Sequence, residues 1–238
     1  MRVLRLALAA AAAATTFGAV ATATPAAAAP VIQPGSSLEF GSSFCTANWV
    51  YNGADGSTYL GSARHCTTGV GQQVDLATSS LGTPIQRIGQ VAYTSAALDF
   101  LLIRVDPAVV PQVSAALAGH PNIPTGVSTT STAAIGDVVQ YSGHGVGFHL
   151  TTPTQQQRVG ILGFNDGTQH YSYGAVTPGD SGGPVADVTD GNKALGIVDT
   201  VGVAVAGLLP QVGEGGVSLQ ALLADAGAHG FSITLRTV

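Results

Sequence analysis

Short stretches of alternating or continuous apolar residues, separated by turn residues, recur along most of the chain. A strand buried on one face alternates apolar and polar side chains, and clusters of Gly, Asn, Asp, Ser and Pro mark the turns between strands. The pattern predicts strands at 47–51, 58–62, 72–76, 86–92, 100–105, 138–142, 159–164, 171–176, 183–188 and 194–200. Because no helical segments alternate with these strands, we expect an all-β protein with antiparallel sheets and not a parallel α/β sheet.

Turn signals and a change of composition divide this pattern into two parts. Asn52-Gly53 and Asp55-Gly56 are strong hairpin signals between the first two predicted strands. The stretch 107–132 is rich in Pro, Ser, Thr and Ala and carries no catalytic signal. We interpret it as the connection between two β units, with partial helix over 110–118.

The C-terminal region has a helical pattern. Apolar residues at helical spacing over 218–226 predict a helix with Ser218 as its N-cap, and a last strand is expected at 231–235. We therefore predict an N-terminal β unit over 30–118 and a C-terminal β unit over 119–238 that includes this helix.

Residues 1–29 have the three parts of a secretory signal peptide. Arg2 and Arg5 form a basic start, an Ala- and Leu-rich apolar stretch follows, and small residues lead to a cleavage site that we place near Ala28 or Ala29. The alternative is an N-terminal membrane anchor, which the Ala-rich composition and the small-residue tail disfavour. We expect a secreted, extracellular protein that has no membrane association after cleavage.

The amino-acid composition limits the classes of partner. Charged residues make up 9% of the chain and Gly numbers 32, as is typical of a loop-rich secreted β protein. Loss of Arg2 and Arg5 with the signal peptide leaves six basic against thirteen acidic residues, a net charge of −7 compared with −5 for the whole chain. Such a surface repels nucleic acid and anionic membranes. We expect no nucleic-acid partner, and a monomer that requires no metal or other cofactor.

Cys45 and Cys66 are the only cysteines in the sequence. Because the chain is expected in an oxidising compartment, a disulfide between them is the default interpretation, and metal ligation by two lone cysteines is the alternative. The bridge would close a loop of about 20 residues and contribute roughly 3 kcal/mol in the chain-entropy model.

Three segments supply the groups that activate a serine nucleophile. In chain order they are His65, then Asp99 in an otherwise apolar stretch, then Ser181 within Gly179-Asp180-Ser181-Gly182-Gly183-Pro184. A serine hydroxyl attacks a carbonyl only when a histidine takes its proton and a carboxylate holds that histidine in the correct tautomer. The sequence therefore carries all three parts of a catalytic triad.

The motif at 179–184, the His65-Cys66 pair and Asp99 resemble the chymotrypsin-like (trypsin-fold) serine proteases, in particular secreted actinobacterial members. The resemblance covers nearly the whole mature chain. It implies two six-stranded antiparallel β-barrels with an active site in the cleft between them, and a C-terminal helix. It also implies that His65 is the general base and acid, that Asp99 orients it and that Ser181 is the nucleophile. The implied function is that of a secreted endopeptidase acting on protein or peptide substrates.

The same resemblance assigns an oxyanion hole and a specificity pocket. The backbone N–H groups of Gly179 and Ser181 would form the oxyanion hole. In this family the residue six before the nucleophile lies at the base of the pocket, and here it is Ala175. The residues assigned to the pocket are Ala175, Val176, Thr177, Pro178, Asp199, Thr200 and Val201. Because an apolar floor offers no counter-charge to Lys or Arg, we predict cleavage after apolar or small neutral residues.

Two carboxylates depart from the pattern of this family. The chain has no Ile-Val-Gly-Gly sequence whose new amino group could pair with Asp180, and we expect Arg158 to replace it. Asp199 stands where family members usually carry a serine that contacts the triad aspartate. A second carboxylate there would repel Asp99 and raise one of the two pKa values. It is also the rival determinant of specificity, because it could favour basic side chains.

Several alternatives stay open at this point. Gly179 to Gly183 also satisfies the nucleophile elbow of α/β-hydrolases, but Gly-Gly-Pro after the serine is a poor helix start and no βαβ alternation exists. Asp75 and Asp106 are alternatives for the orienting carboxylate. A zinc site is the rival to solvated loop positions for His144, His149 and His170. An esterase with the same triad and an inactive protease-like binding protein are the rival functions.

Overall fold

The computed structural model describes residues 30–78, 82–146, 156–206 and 209–238, so the predicted signal peptide lies outside the described residues. The described strands are β1 Ser37–Phe40, β2 Ser43–Thr46, β3 Val50–Gly53, β4 Thr58–Ala63, β5 Gln73–Ala77, β6 Pro84–Ser95, β7 Phe100–Val105, β8 Val138–Gly143, β9 Gln156–Asn165, β10 Gln169–Gly174, β11 Pro184–Asp187, β12 Lys193–Ala206, β13 Leu209–Ser218 and β14 Ile233–Leu235. A helix, α1, spans Leu219–Ala228, and 3₁₀ turns span Arg64–Cys66 and Val110–Gln112. The expected all-β class with a C-terminal helix is confirmed.

The N-terminal strands form one large antiparallel sheet. Its eight strands follow the order β14-β3-β4-β7-β6-β5-β1-β2. The pattern predicted five of these strands and the resemblance implied six, and the sheet has more for two reasons. The hairpin of β1 and β2 was missed because each of these strands is only four residues long. The last strand of the chain also returns to this sheet, where Ile233 pairs with Gly53 and Leu235 pairs with Tyr51.

The C-terminal strands form the second sheet, a closed six-stranded barrel in the order β10-β13-β12-β11-β8-β9. Five of these strands were predicted, and β13 was missed because its glycines obscure the strand pattern. Gly216 in β13 is required by close packing, since a Cβ there would lie 2.7 Å from Cε1 of His170 and would also meet the carbonyl oxygen of Ile197. A residue type that weakens strand propensity is therefore needed for the barrel to close tightly.

A shared hydrophobic core holds the two sheets together. Trp49 and Phe100 of the first sheet pack in one cluster with Ile197 of the barrel and Leu222 of α1. The indole N–H of the buried Trp49 donates a hydrogen bond of 3.0 Å to the backbone carbonyl of Gly196. Burial of large aromatic side chains across this boundary fixes the position of one sheet relative to the other, which a cleft site between them requires.

The connecting segment and the C-terminal helix differ in detail from the predictions. Within 110–118, helical geometry is confined to the 3₁₀ turn at Val110–Gln112. Ser218 occupies the N-cap position of α1, but its hydroxyl donates to Oδ1 of Asn165 at 3.2 Å and makes no capping bond to the helix. Among the described residues, no helix has the length and hydrophobicity needed to span a membrane.

Candidate active site

His65 lies at the end of β4, where a buried strand turns into the 3₁₀ turn Arg64–Cys66. The next residue, Cys66, forms a disulfide with Cys45 of β2, with the two Cα atoms 6.3 Å apart. The predicted bridge is therefore present. Because it ties the 3₁₀ turn to the first hairpin, the backbone that carries His65 has a covalent anchor one residue away.

Asp99 holds His65 through both of its carboxylate oxygens. Oδ1 accepts a hydrogen bond of 2.7 Å from the backbone N–H of His65, and Oδ2 is in direct contact with Nδ1 of the imidazole. The backbone carbonyl of Asp99 also accepts a bond of 2.8 Å from the N–H of Arg64. Asp99 lies in the turn immediately before β7, with φ +44°. This left-handed conformation, uncommon for a non-glycine residue, is held by these three bonds.

The two alternative carboxylates are engaged elsewhere. Both oxygens of Asp75 accept hydrogen bonds from the side-chain amide of Gln73, at 3.0 and 3.1 Å. Asp106 forms an ion pair with Nε of Arg87 at 3.1 Å. The geometry therefore brings Asp99, and neither alternative, to the imidazole.

Asp199 faces the same nitrogen of the imidazole as Asp99, with Oδ1 3.9 Å from Nδ1 of His65. Burial, a hydrogen bond to Asp99 and the negative charge of Asp99 together raise the pKa of Asp199 to about 8. Burial alone would also raise the pKa of Asp99, but hydrogen bonds from His65 and Asp199 outweigh it and lower that pKa to about 2. The expected repulsion between the two carboxylates is therefore avoided, because Asp99 is ionised over a pH range in which Asp199 keeps its proton.

The pKa of His65 is raised, mainly by its hydrogen bond with Asp99. Burial opposes this effect, and the charges of Asp99 and Asp199 add to it. A raised pKa makes the imidazole a stronger base and favours the imidazolium form that appears when it accepts a proton.

Ser181 lies in a tight turn that is locked against the first sheet. The backbone N–H of Thr46 donates to the carbonyl of Ser181 at 2.9 Å, and the hydroxyl of Thr46 donates to the carbonyl of Gly179 at 2.8 Å. Gly182 has φ +81°, and a Cβ there would meet the backbone nitrogen of Ala63 and lie 2.8 Å from the carbonyl oxygen of Thr46. Glycine at 182 therefore lets the serine turn reach the strand that leads to His65.

The predicted oxyanion donors are both available for a ligand. Across the described part of the chain, neither the N–H of Gly179 nor the N–H of Ser181 donates a hydrogen bond to protein. Gly179 adopts φ +100°, a conformation that L side chains rarely adopt. The hydroxyl of Ser181 makes no hydrogen bond to His65 within the described residues, as is common in ligand-free sites whose catalytic bonds tighten when substrate binds.

Asp180, next to the serine, forms a two-pronged ion pair with Arg158. Nη1 of Arg158 lies 2.6 Å from Oδ2 of Asp180, and Nη2 lies 2.6 Å from Oδ1. The backbone N–H groups of Gly145 and Thr177 also donate to this carboxylate, each at 2.9 Å. The side chain of Asp180 is 1% exposed and that of Arg158 is 11% exposed. The expectation that Arg158 is the partner of Asp180 is confirmed.

A cavity of about 240 Å³ adjoins Asp199, on the side of the barrel. Its lining residues are Phe164, Gln169, His170, Tyr171, Asp199, Thr200, Gly215 and Gly216. Ala175, Thr177 and Pro178 do not line this cavity, Val176 is buried in the barrel core, and the side chain of Val201 lies outside the described residues. Of the predicted pocket residues, Asp199 and Thr200 therefore line this cavity, and Ala175, Val176, Thr177 and Pro178 do not.

A buried polar network beneath this cavity was not identified from the sequence. The side chains of His170 and Glu214 are fully buried, with Nε2 and Oε1 3.1 Å apart. Ser172 donates to Oε2 of Glu214 at 2.7 Å, and Tyr141 contacts Ser172 in turn. Pairing of His170 with Gly216 in adjacent strands brings the histidine beside Glu214, and no local motif signals such a long-range contact.

Two groups within the described residues bring three metal-ligand-type atoms within 4.8 Å of one another. The first is Cys45, His65 and Cys66, in which both sulfurs are already bonded to each other; the second is His65, Asp99 and Asp199. The second is the hydrogen-bonded chain described above, and we assign no metal to either. Neither group includes His144 or His170, and His149 lies outside the described residues.

Comparison with known proteins identifies the class of fold to which the structure is similar. No protein-family model matches the chain, and no curated protein matches its sequence. Solved structures do match. The protein is similar to Nocardiopsis protease, with a TM-score of 0.62 and 20% identity over 88% of this chain and 100% of that chain.

Two other matches come from the same class. One is a glutamic-acid-specific serine protease that uses a histidine triad in substrate binding, with a TM-score of 0.58 and 20% identity over 86% of this chain and 100% of that chain. The other is an HtrA-type protease, with a TM-score of 0.51 and 19% identity over 79% of this chain and 52% of that chain. The chain therefore has the fold of chymotrypsin-like serine proteases, as the sequence motifs led us to expect.

Proposed function

We propose that the protein is a secreted serine endopeptidase with His65, Asp99 and Ser181 as its catalytic triad. The observation that carries the proposal is the contact of both Asp99 oxygens with His65, on the strand end against which the Ser181 turn packs. An imidazole fixed at Nδ1 presents Nε2 as a base to a neighbouring hydroxyl. This arrangement suits acyl transfer, the reaction of the serine proteases whose fold the chain shares.

The reaction proceeds through an ester on Ser181. Nε2 of His65 takes the hydroxyl proton while Oγ attacks the scissile carbonyl carbon, and the N–H groups of Gly179 and Ser181 donate to the oxygen that becomes negative. The imidazolium then gives its proton to the leaving amine. A water molecule, deprotonated by His65, attacks the ester, and the acid product leaves as Ser181 regains its proton.

The specificity proposed for this enzyme is for apolar or small neutral side chains before the scissile bond. Ala175 offers no counter-charge, and the neutral form of Asp199 that predominates at pH 7 offers none either. A peptide library measures this preference directly. Cleavage mainly after Lys or Arg would contradict the proposal. If that basic preference then disappeared in Asp199→Ser, Asp199 would be the carboxylate that binds the basic side chain.

A fluorophosphonate probe tests the proposed function most directly. We expect labelling of wild-type protein at Ser181, identified by mass spectrometry of the labelled peptide, and no labelling of Ser181→Ala or His65→Ala. Circular dichroism of Ser181→Ala should match the wild type, because the residue lies in a turn held by backbone bonds. Hydrolysis of protein substrates as well as short esters would then distinguish a protease from an esterase.

The second candidate function is an inactive binding protein with the protease fold. The observation in its favour is Asp199, which places a second carboxylate beside the triad where family members usually carry a serine. Absence of labelling in folded, disulfide-bonded wild-type protein would favour this alternative.

A further inference from the structure

Asp199 is the residue of the site for which the proposed mechanism gives no role. It lies in β12 at an irregularity in the pairing, between Val198, which pairs with Gly216, and Thr200, which pairs with Gly215, and its carboxylate reaches toward His65. Its side chain is 21% exposed, compared with 45% for His65. A carboxylate oxygen of Asp199 lies within 4.8 Å of one of Asp99. A carboxylate this close to another carboxylate and largely out of water must either be protonated or have a strong cationic partner.

The groups that face Asp199 supply no permanent cation. His65 and Asp99 come from the first sheet, and Glu214 acts on Asp199 from β13. His170 of β10 lines the same cavity, and its Nε2 faces Glu214 at 3.1 Å. The largest electrostatic influences on Asp199 come from Asp99, His65 and Glu214, none of which carries a permanent positive charge. The local charge is therefore negative, and a proton is the cation that the cluster can take up.

The hydrogen bonds decide which carboxylate carries this proton. Asp99 accepts bonds from the backbone N–H and from Nδ1 of His65, and both bonds favour its ionised form. Across the described chain, Asp199 accepts no hydrogen bond from a backbone N–H, and its contact with Nδ1 is longer, at 3.9 Å. The proton therefore belongs to Asp199, which can donate it to Asp99 as a hydroxyl would. Its raised pKa agrees with this assignment.

We propose that Asp199 is a positioning residue of the triad: as a neutral carboxylic acid it donates a hydrogen bond to Asp99, holding that carboxylate against His65, and at alkaline pH it loses its proton to solvent and the support is lost. The proposal rests on the proposed function of the triad. The ionised form of Asp199 would be an acceptor only, so its contact with Asp99 would change from attraction to repulsion. The pH profile of kcat should then show the ionisation of Asp199, in addition to those of the nucleophile and the base.

The test compares the pH profile of kcat for peptide hydrolysis in wild type, Asp199→Asn, Asp199→Ala and a control, Asp75→Asn. We expect wild-type kcat to fall about tenfold above pH 8, the loss of one hydrogen bond to a charged group. Asp199→Asn, which keeps a donor and cannot ionise, should lack this fall. Asp199→Ala should have a kcat about tenfold below that of Asp199→Asn at neutral pH. Asp75→Asn should keep the wild-type profile, because its carboxylate lies away from the imidazole.

Infrared difference spectroscopy supplies a readout that does not require turnover. Between neutral and alkaline pH, wild-type protein should lose a protonated carboxyl band that Asp199→Asn lacks. The other carboxyl with a raised pKa is Asp187, at about 6, so it titrates earlier and is common to both proteins. An alkaline fall in kcat that persists in Asp199→Asn, or a band that is unchanged by this substitution, would overturn the proposal. If wild type neither turns over peptides nor reacts with fluorophosphonate, the proposed function fails, and the infrared result alone decides the protonation of Asp199.

Discussion

The candidate site has a histidine half, around His65 and Asp99, and a serine half, around Ser181. Each half holds a carboxylate beside a residue of the proposed triad, and the two carboxylates are stabilised in opposite ways. Asp180, next to Ser181, is buried against the opposite charge of Arg158 and also accepts two backbone N–H bonds. Asp199, next to His65, is buried against the like charge of Asp99. The first carboxylate is compensated by a fixed cation and the second by a proton.

This difference has a physical consequence for each half. A guanidinium keeps its charge at every pH of interest, so the serine turn has constant support. The proton that Asp199 shares with Asp99 is lost near pH 8, so the hydrogen bond that holds Asp99 against His65 depends on pH. The histidine half has a disulfide one residue from His65, and the serine half relies on noncovalent contacts of its turn.

The largest effect is expected from Asp99→Asn, which removes the negative charge from the histidine half. The substitution should lower kcat/KM by roughly 10⁴ near neutral pH, because the amide favours the wrong imidazole tautomer. Steady-state peptide hydrolysis checks this, with Asp75→Asn as the matched control. A near-parental rate in Asp99→Asn would mean that another carboxylate orients His65.

The next largest effect is expected from Arg158→Leu, which leaves Asp180 buried without its cation. Removal of one partner of a buried pair should lower the free energy of unfolding by about 3–5 kcal/mol. Urea denaturation of the Ser181→Ala background, which avoids self-digestion, measures this loss. Arg158→Leu combined with Asp180→Asn should recover part of it. Equal stability of Arg158→Leu and the double variant would contradict the expected cost of an unpaired Asp180 charge.

The disulfide tests whether the histidine half depends on its covalent anchor. The double variant Cys45→Ser, Cys66→Ser should lose about 2–5 kcal/mol of unfolding free energy. Proton NMR of His65 should also shift, whereas that of the barrel histidine His170 should not. Mass spectrometry that finds two free thiols in active secreted protein would contradict the bridge itself.

The last effect is that of Asp199→Asn on thermal stability, and it depends on pH. The pKa of Asp199 is about 8 in the folded protein and near 3.8 when unfolded, so its ionisation in the unfolded state increasingly favours unfolding as pH rises between these values. The Tm of Asp199→Asn minus that of wild type should therefore be near zero at pH 4, increase toward pH 8 and then level off. Each kcal/mol relieved should raise the Tm by roughly 2–4 °C. A constant difference across this range would show that Asp199 does not change protonation on folding.

Some elements were predictable because the information is local. β7 at Phe100–Val105 is a continuous apolar run, and the structure begins and ends it as predicted. Ser181 and His65 stand in segments whose residue types are themselves the signal. The hairpin β1–β2 was missed because each of its strands is only four residues long, and β13 was missed because its glycines obscure the strand pattern.

The sequence by itself determined the β class, the order of the three proposed triad residues and the pairing of the two cysteines, and the family resemblance added Arg158 as the expected counter-charge of Asp180. These follow from periodicity, residue identity and the small number of available partners. Only the tertiary structure decided that β14 returns to the first sheet, that Asp99 occupies a left-handed turn, and that His170 meets Glu214 inside the barrel. It also decided that Asp199 reaches His65. Such contacts join residues far apart in the chain, and burial and pKa values arise only when those residues are brought together.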